Sequence, residues 1–242
     1  MKRYILAALM TAAVLPSAAI SDELTEDRIK ELVYEAIREN PGIIFEAVSI
    51  LERQQEQAQR SAADVVLNEQ RNRLEDDPNA IVLGNVEGDV TVVEFFDYNC
   101  PYCRRVMPEV EALVAQDPNV RLVYREWPIL GDGSVFAARA ALAARNQGLY
   151  EPFHVAMMGM NERAVEASVL RVARDVGLDI DQLLVDMEAP EIDEHIQTSM
   201  ELSRALGFNG TPSFVIGDEL IPGYVEAQVL IEQVRAARSQ LD

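Results

Sequence analysis

Apolar and polar positions change their period several times along this chain. Tyr4 to Leu15 is a continuous apolar run behind the charged pair Lys2 and Arg3, short for a bilayer span and broken by Pro16. Ser17-Ala18-Ala19 then supplies small residues for a cut after Ala19, so residues 1–19 read as a cleaved secretory signal. No later stretch approaches the roughly 20 continuous apolar residues of a spanning helix. Ile29, Leu32, Val33, Ala36 and Ile37 recur at three- and four-residue intervals. This predicts a helix capped by Ser21 or Asp22 and stopped at Asn40-Pro41-Gly42. A second helix is predicted from Ile43, with Ile44, Val48 and Leu51 on one stripe. The stripe turns polar through "ERQQEQAQRSAAD" and returns at Val65, Val66 and Leu67. So narrow and interrupted a stripe suits a projecting or self-associating helix; the alternative is a helix lying along its own domain.

"EDDPNA" (75–80) marks a boundary between an N-terminal helical extension, 20–75, and a domain over 80–242. Strand signals follow at Ile81–Leu83 and Val90–Phe96, separated by the turn "GNVEGD". "CPYC" then opens a helix carrying Val106, Val110, Leu113 and Val114, and "VRLVYREW" alternates as a third strand. Residues 133–207 change to alanine-rich amphipathic stretches at 135–147, 150–160, 166–176, 180–187 and 191–206, an all-helical insertion. Strand character returns at Pro212–Ile216 and Leu220–Ile221, and Val225–Arg238 closes as a helix. A β-α-β half and a β-β-α half with helices between them make one α/β domain.

The formal charge is −20 over 242 residues, and −22 once Lys2 and Arg3 leave with the signal. That charge excludes nucleic acid and anionic membrane surfaces as partners. Only two cysteines occur, Cys100 and Cys103. In an exported chain large enough to bury its own core, a lone C-x-x-C pair is chemistry more than scaffolding. Cys100 stands at a strand-to-helix junction, where unpaired N–H groups and the helix dipole favour its thiolate. Pro101 fits the first turn, and Cys103, on the same side of the helix, can resolve a mixed disulfide. Glu94 is a carboxylic acid inside an apolar strand, on one face with Val92 and Phe96. It is either a buried acid with a raised pKa that relays a proton, or an edge carboxylate without a role. Thr211-Pro212 stands directly before a β run. It is either a cis bond that leaves the Thr211 backbone to an extended substrate, or an ordinary trans proline opening a strand.

Together "EFFDYNCPYC", the spacing of Glu94 from Cys100, the long helical insertion and the late "GTPSF" resemble the DsbA-like branch of the thioredoxin superfamily, the secreted dithiol–disulfide oxidoreductases of bacteria. The resemblance covers roughly residues 80–240. It implies a thioredoxin-like fold with an inserted all-helical domain and a periplasmic protein that needs no cofactor beyond its dithiol. It also implies that Cys100 is the nucleophile, Cys103 the resolving thiol, Glu94 the buried acid and Pro212 the cis-proline facing the disulfide. Thr211, Pro101 and Tyr102 would touch substrate. Partners would be unfolded or misoxidised proteins and a membrane redox relay, oxidising or reducing. The N-terminal extension resembles that of ScsC-like members and disulfide isomerases, where it serves oligomerisation. Two residues depart from DsbA itself: Tyr102 stands where DsbA has His, and Thr211 precedes the proline as in isomerase members. Both point toward an isomerase or reductase, with a DsbA-type oxidase as the alternative.

Two other classes remain. A metal site would draw on Cys100, Cys103, His154 and His195: zinc needs four such ligands, and copper could take the thiolates with Met157, Met158 and Met160. His154 reads as a packed or capping histidine and His195 as lying in an acidic, solvated stretch. A chaperone-like holding module would use apolar surface around the cysteines and keep its activity without Cys100.

Overall fold

The computed structural model describes residues 25–241, so the signal at 1–19 and the expected caps Ser21 and Asp22 lie outside the described residues. The first helix, α1 (Glu26–Glu39), is capped by Thr25, whose hydroxyl accepts the Arg28 N–H at 3.3 Å. Glu26 and Asp27 sit at its positive end, and the helix buries none of its residues. The second helix, α2 (Gly42–Glu75), runs 34 residues without a break. The chain divides into two units between Gln54 and Gln55, inside this helix. Up to Gln54, Ile29, Val33, Tyr34, Ile44, Phe45 and Leu51 are exposed. Beyond it, Leu67 and Leu74 are buried in a core cluster. The later part of the predicted stripe therefore lies along its own domain, and the earlier part has no cover among the described residues.

The second unit is built on one sheet of β1 (Ile81–Gly84), β2 (Val90–Phe96), β3 (Val120–Glu126), β4 (Ser213–Ile216) and β5 (Glu219–Pro222). Their order is β1-β3-β2-β4-β5, with β2 and β3 parallel and every other pair antiparallel. Pairing with β3 on one side and β4 on the other puts β2 at the centre of the sheet, and α3 (Pro101–Gln116), which joins the parallel pair, carries the cysteines just beyond the carboxyl end of β2. Alternation sorts the side chains onto two faces. Val92 and Phe96 of β2, Leu122 and Tyr124 of β3, and Phe214 of β4 share a core with Val106 and Leu113 of α3 and with Leu230 and Val234 of α9 (Ala227–Arg238). The opposite residues, Val93, Phe95, Val123 and Val215, share a core with Leu67 and Leu74 of α2, with Leu202 of α8 (Pro190–Ala205) and with Leu206 at the C-cap of α8. Burying each large apolar side chain is worth roughly 1.5–3 kcal/mol, so both helical layers are held to the sheet by many such terms.

The insertion between β3 and β4 consists of α4 (Asp132–Ala144), a 3-10 turn at Arg145–Gln147, α5 (Tyr150–Met158), α6 (Glu166–Asp175), α7 (Ile180–Asp186) and α8. These follow the predicted stretches, except that α4 begins earlier, at Asp132, after Gly131 with φ 107°. Ala137, Ala138, Ala140, Ala141, Ala143 and Ala144 bury α4 nearly all round, as a central helix requires.

One expectation is corrected here. His195 does not lie in a solvated stretch; it is completely buried. It shares the inner stripe of α8 with Ile192, Ser199 and Leu202, and the acidic Asp193 and Glu194 face outward. Its Nε2 lies 2.7 Å from Glu126 Oε2 and its Nδ1 3.7 Å from Asp77 Oδ2, while Arg125, also buried, meets Asp77 at 2.5 Å. Burial opposes charge on His195, but the Asp77 and Glu126 contacts outweigh it and raise its pKa.

Candidate active site

The loop from β2 into α3 is tied down by two polar side chains. Asp97 accepts the Asn99 N–H at 2.7 Å through one oxygen, and the Ile129 and Leu130 N–H groups at 2.8 and 2.9 Å through the other. Asn99 donates to Ser134 Oγ and the Ala164 carbonyl at 3.1 and 3.0 Å and accepts the Ala164 N–H at 2.8 Å. The loop is thereby fixed to both ends of the insertion's first segment. Neither residue was singled out from the sequence, although Asp-x-Asn directly before a helix start is a recognisable turn signature.

Cys100 is the N-cap residue of α3 and Pro101 occupies the first turn. The cysteine faces a segment 111 residues away, for its thiol donates to the Thr211 carbonyl at 3.1 Å. The Thr211–Pro212 peptide bond is cis, with Pro212 buried and Thr211 half-buried. Both thiols are free, and Cys103 is buried completely behind Cys100. The Cys100 pKa is pulled down to about 6. The Cys103 thiol contributes most; burial opposes it, and the Thr211 side chain and the N–H groups of Cys103 and Tyr102 add to it. Those N–H groups belong to the open first turn of the helix. The Thr211 carbonyl can hold only the neutral thiol, so ionisation hands the sulfur over to these donors. Burial and the charge on Cys100 raise the Cys103 pKa well above the ordinary thiol value. Pro101 and Tyr102 are exposed beside the pair, Tyr102 at 56 %.

Glu94 pairs with Tyr124 on β3 and Phe214 on β4, so it belongs to the central strand and not to an edge. It is 3 % exposed and shares its face with Val92 and Phe96. Burial, with a smaller contribution from the Cys100 charge, raises its pKa to about 8. Its charge in turn opposes ionisation of Cys103. Cys100, Cys103, Glu94, Thr211 and Pro212 therefore form one neighbourhood at the end of β2, with Pro101 and Tyr102 on its rim. The two histidines lie elsewhere. His154 is a packed histidine, 3.0 Å from the Tyr98 hydroxyl through Nδ1 and stacked on Tyr124 and Tyr150. Among the described residues, no three His, Cys, Asp or Glu side chains converge on a metal position.

Comparison with known proteins settles the family. The DSBA-like thioredoxin domain matches residues 91–235, more than half of the chain. The chain belongs to the DsbA-like thioredoxin-domain family. Its N-terminal residues 26–58 match the family described as the copper resistance protein ScsC N-terminal domain. A thioredoxin-like oxidoreductase from Silicibacter pomeroyi DSS-3 is 68% identical, over 70% of this DsbA-like chain and 98% of its own, with a TM-score of 0.69. A linker-deleted mutant of ScsC from Proteus mirabilis is 26% identical over 93% of this chain and 100% of its own, with a TM-score of 0.67. Among curated proteins, the Na(+)/H(+) antiporter NhaA of Herminiimonas arsenicoxydans is 26% identical over 65% of this chain. This DsbA-like chain spans only about a quarter of the length of that relative, 25%.

Proposed function

We propose that this protein works in the periplasm as a protein disulfide isomerase or reductase, exchanging disulfides through its CPYC motif. The observation that carries the reading is Cys100: an N-cap thiol with its pKa near 6, set against the Thr211–Pro212 segment. At pH 7 it is mostly thiolate, the attacking species. It displaces one sulfur of a substrate disulfide, forming a Cys100–substrate mixed disulfide and releasing the other sulfur as a thiolate. The Cys100 charge is thereby removed, and with it one of the two causes that hold the Glu94 proton on. The departing substrate thiolate takes the Glu94 proton, the carboxylate so formed accepts the Cys103 proton, and the Cys103 thiolate attacks Cys100. The second substrate thiolate leaves, the substrate has gained two electrons and Cys100–Cys103 is a disulfide. In isomerisation a substrate thiol attacks the mixed disulfide instead, and no net electrons pass. The dithiol carries the electrons, so no separate cofactor enters, and a reducing membrane relay would restore it.

Tyr102 and Thr211 support the reducing direction. The exposed Tyr102 adds no positive charge to the thiolate, so the dithiol form is less favoured than with a histidine at that position. The expected reduction potential is more negative than the roughly −120 mV of a strong oxidase. Equilibration with glutathione measures it; a value as oxidising as that returns the protein to disulfide formation. Cys100→Ala should abolish insulin reduction altogether, and surviving activity would favour a holding module. The apolar residues left exposed on α1 and the start of α2, with the ScsC-type match over 26–58, support homo-oligomerisation through this extension. Light scattering should give a multiple of the chain mass for the mature protein and a single mass after truncation at Gln54, which spares the core residues Leu67 and Leu74. A single mass for both forms removes the oligomer.

A further inference from the structure

A cavity of about 270 Å³ opens between β1, α3 and α5, about two to four helical turns along α3 from Cys100. Leu83, Met107, Val114 and Val155 make apolar walls, and Tyr124 and His154 line it as well. Both are buried, at 5 % and 2 % exposed. His154 meets Tyr98 through Nδ1, and neither its Nε2 nor the Tyr124 hydroxyl enters a side-chain hydrogen bond among the described residues. Burial pushes the His154 pKa down to about 4 although the Glu126 charge opposes this, so the ring is neutral at pH 7. A neutral imidazole and a phenol in the lining of an apolar cavity favour a group that can donate and accept; a hydroxyl does both and suits either tautomer. Glu111 and Glu151 stand on the exposed rim of the same cavity and have no cationic partner among the described residues. Behind burial and Glu94, these two carboxylates help raise the Tyr124 pKa, which places their charge close to the cavity.

We propose that this cavity binds a small organic cation with an apolar body and a hydroxyl group. The body fills the space between Leu83, Met107, Val114 and Val155, the hydroxyl meets His154 Nε2 and the Tyr124 oxygen, and the positive group rests between Glu111 and Glu151. The volume sets the scale at a single ring with a short arm, below the usual drug-sized site. Nothing in this site uses the thiols, so it stands independently of disulfide exchange.

Tyramine has each of these parts and serves as the probe, titrated calorimetrically into the reduced mature chain at low salt. A dissociation constant on the order of 1 mM is expected for a ligand of this size. Phenethylamine lacks the hydroxyl and p-cresol the cation, and each should bind about fivefold more weakly. 3-(4-Hydroxyphenyl)propionate, with the charge reversed, should show no binding. The double variant Glu111→Gln/Glu151→Gln changes only rim residues; it should weaken tyramine about fivefold and leave p-cresol unchanged. Val155→Trp, from a half-open position on α5, should close the cavity and remove both. Cys100→Ser should bind as the parent does, which separates failure of this site from failure of the exchange chemistry. No tyramine binding up to about 20 mM, unaltered binding to the Val155→Trp variant, or equal affinity for the propionate each overturns the proposal.

Discussion

Two carboxylates, Glu94 and Glu126, are buried to the same degree at neighbouring positions of β2 and β3, yet they are dressed in opposite ways. Glu126 accepts the Tyr150 hydroxyl at 2.6 Å and lies against the His195 ring, in a cluster continued by Asp77 and Arg125. Glu94 has no hydrogen-bond partner among the described residues, and its pKa is raised to about 8 by burial and by Cys100. Burial alone does not determine what a carboxyl does. With cations around it, the group ties α5, α8 and a loop to one strand; without them, it keeps its proton up to about pH 8 beside two thiols.

The largest expected effect breaks the partnered side. Arg125→Met leaves Asp77 with only His195 for charge and should cost about 3–5 kcal/mol in urea unfolding at pH 7. A loss below about 1 kcal/mol would show that the cluster is not what holds α8 to β3. Glu94 should behave in the opposite sense. The unfolded carboxyl ionises from about 4.5 while the folded one keeps its proton until about 8, so stability falls as pH rises through this window and levels off above it. Glu94→Gln removes that slope and should raise stability by about 3 kcal/mol at pH 7, with little change at pH 4. Insulin turnover should fall at the same time, by about 100-fold for a lost proton relay. A variant that is both no more stable and fully active would make Glu94 a bystander.

The smallest effect sharpens the electrostatic link between the two thiols. With a pKa near 6, Cys100 should lose about tenfold in iodoacetamide alkylation rate between pH 7 and pH 5, as its thiolate is protonated. Cys103, buried and raised, should stay unlabelled throughout. A Cys100 rate that still climbs steeply between pH 7 and 9 would place its pKa at the ordinary thiol value and remove the helix-terminus argument.

Much of this was legible in residue order. Period-2 and period-3.6 patterns located most strands and helices, because an element packed on one side keeps an apolar face whatever covers it. The C-x-x-C spacing at a strand-to-helix junction foretold the lowered Cys100 pKa, since the donors that lower it belong to the local helix turn. Asp97 and Asn99 carried a turn signature, but their partners at Ile129, Leu130 and Ala164 are distant in the chain and had no local trace. His195 was misjudged because its neighbours Asp193 and Glu194 are acidic; its spacing from Ile192 and Ser199 held the correct answer.

The sequence by itself determined the elements, the place of the cysteine pair at a strand-to-helix junction, and the odd acid within an apolar strand. Only the tertiary structure decided that Thr211 meets Cys100, that β2 is central and so buries Glu94, and that α2 covers the sheet with its later turns alone. The reason is physical. Periodicity records which side of an element is apolar, but a proton's affinity and a side chain's partner depend on what long-range packing brings within a few ångströms.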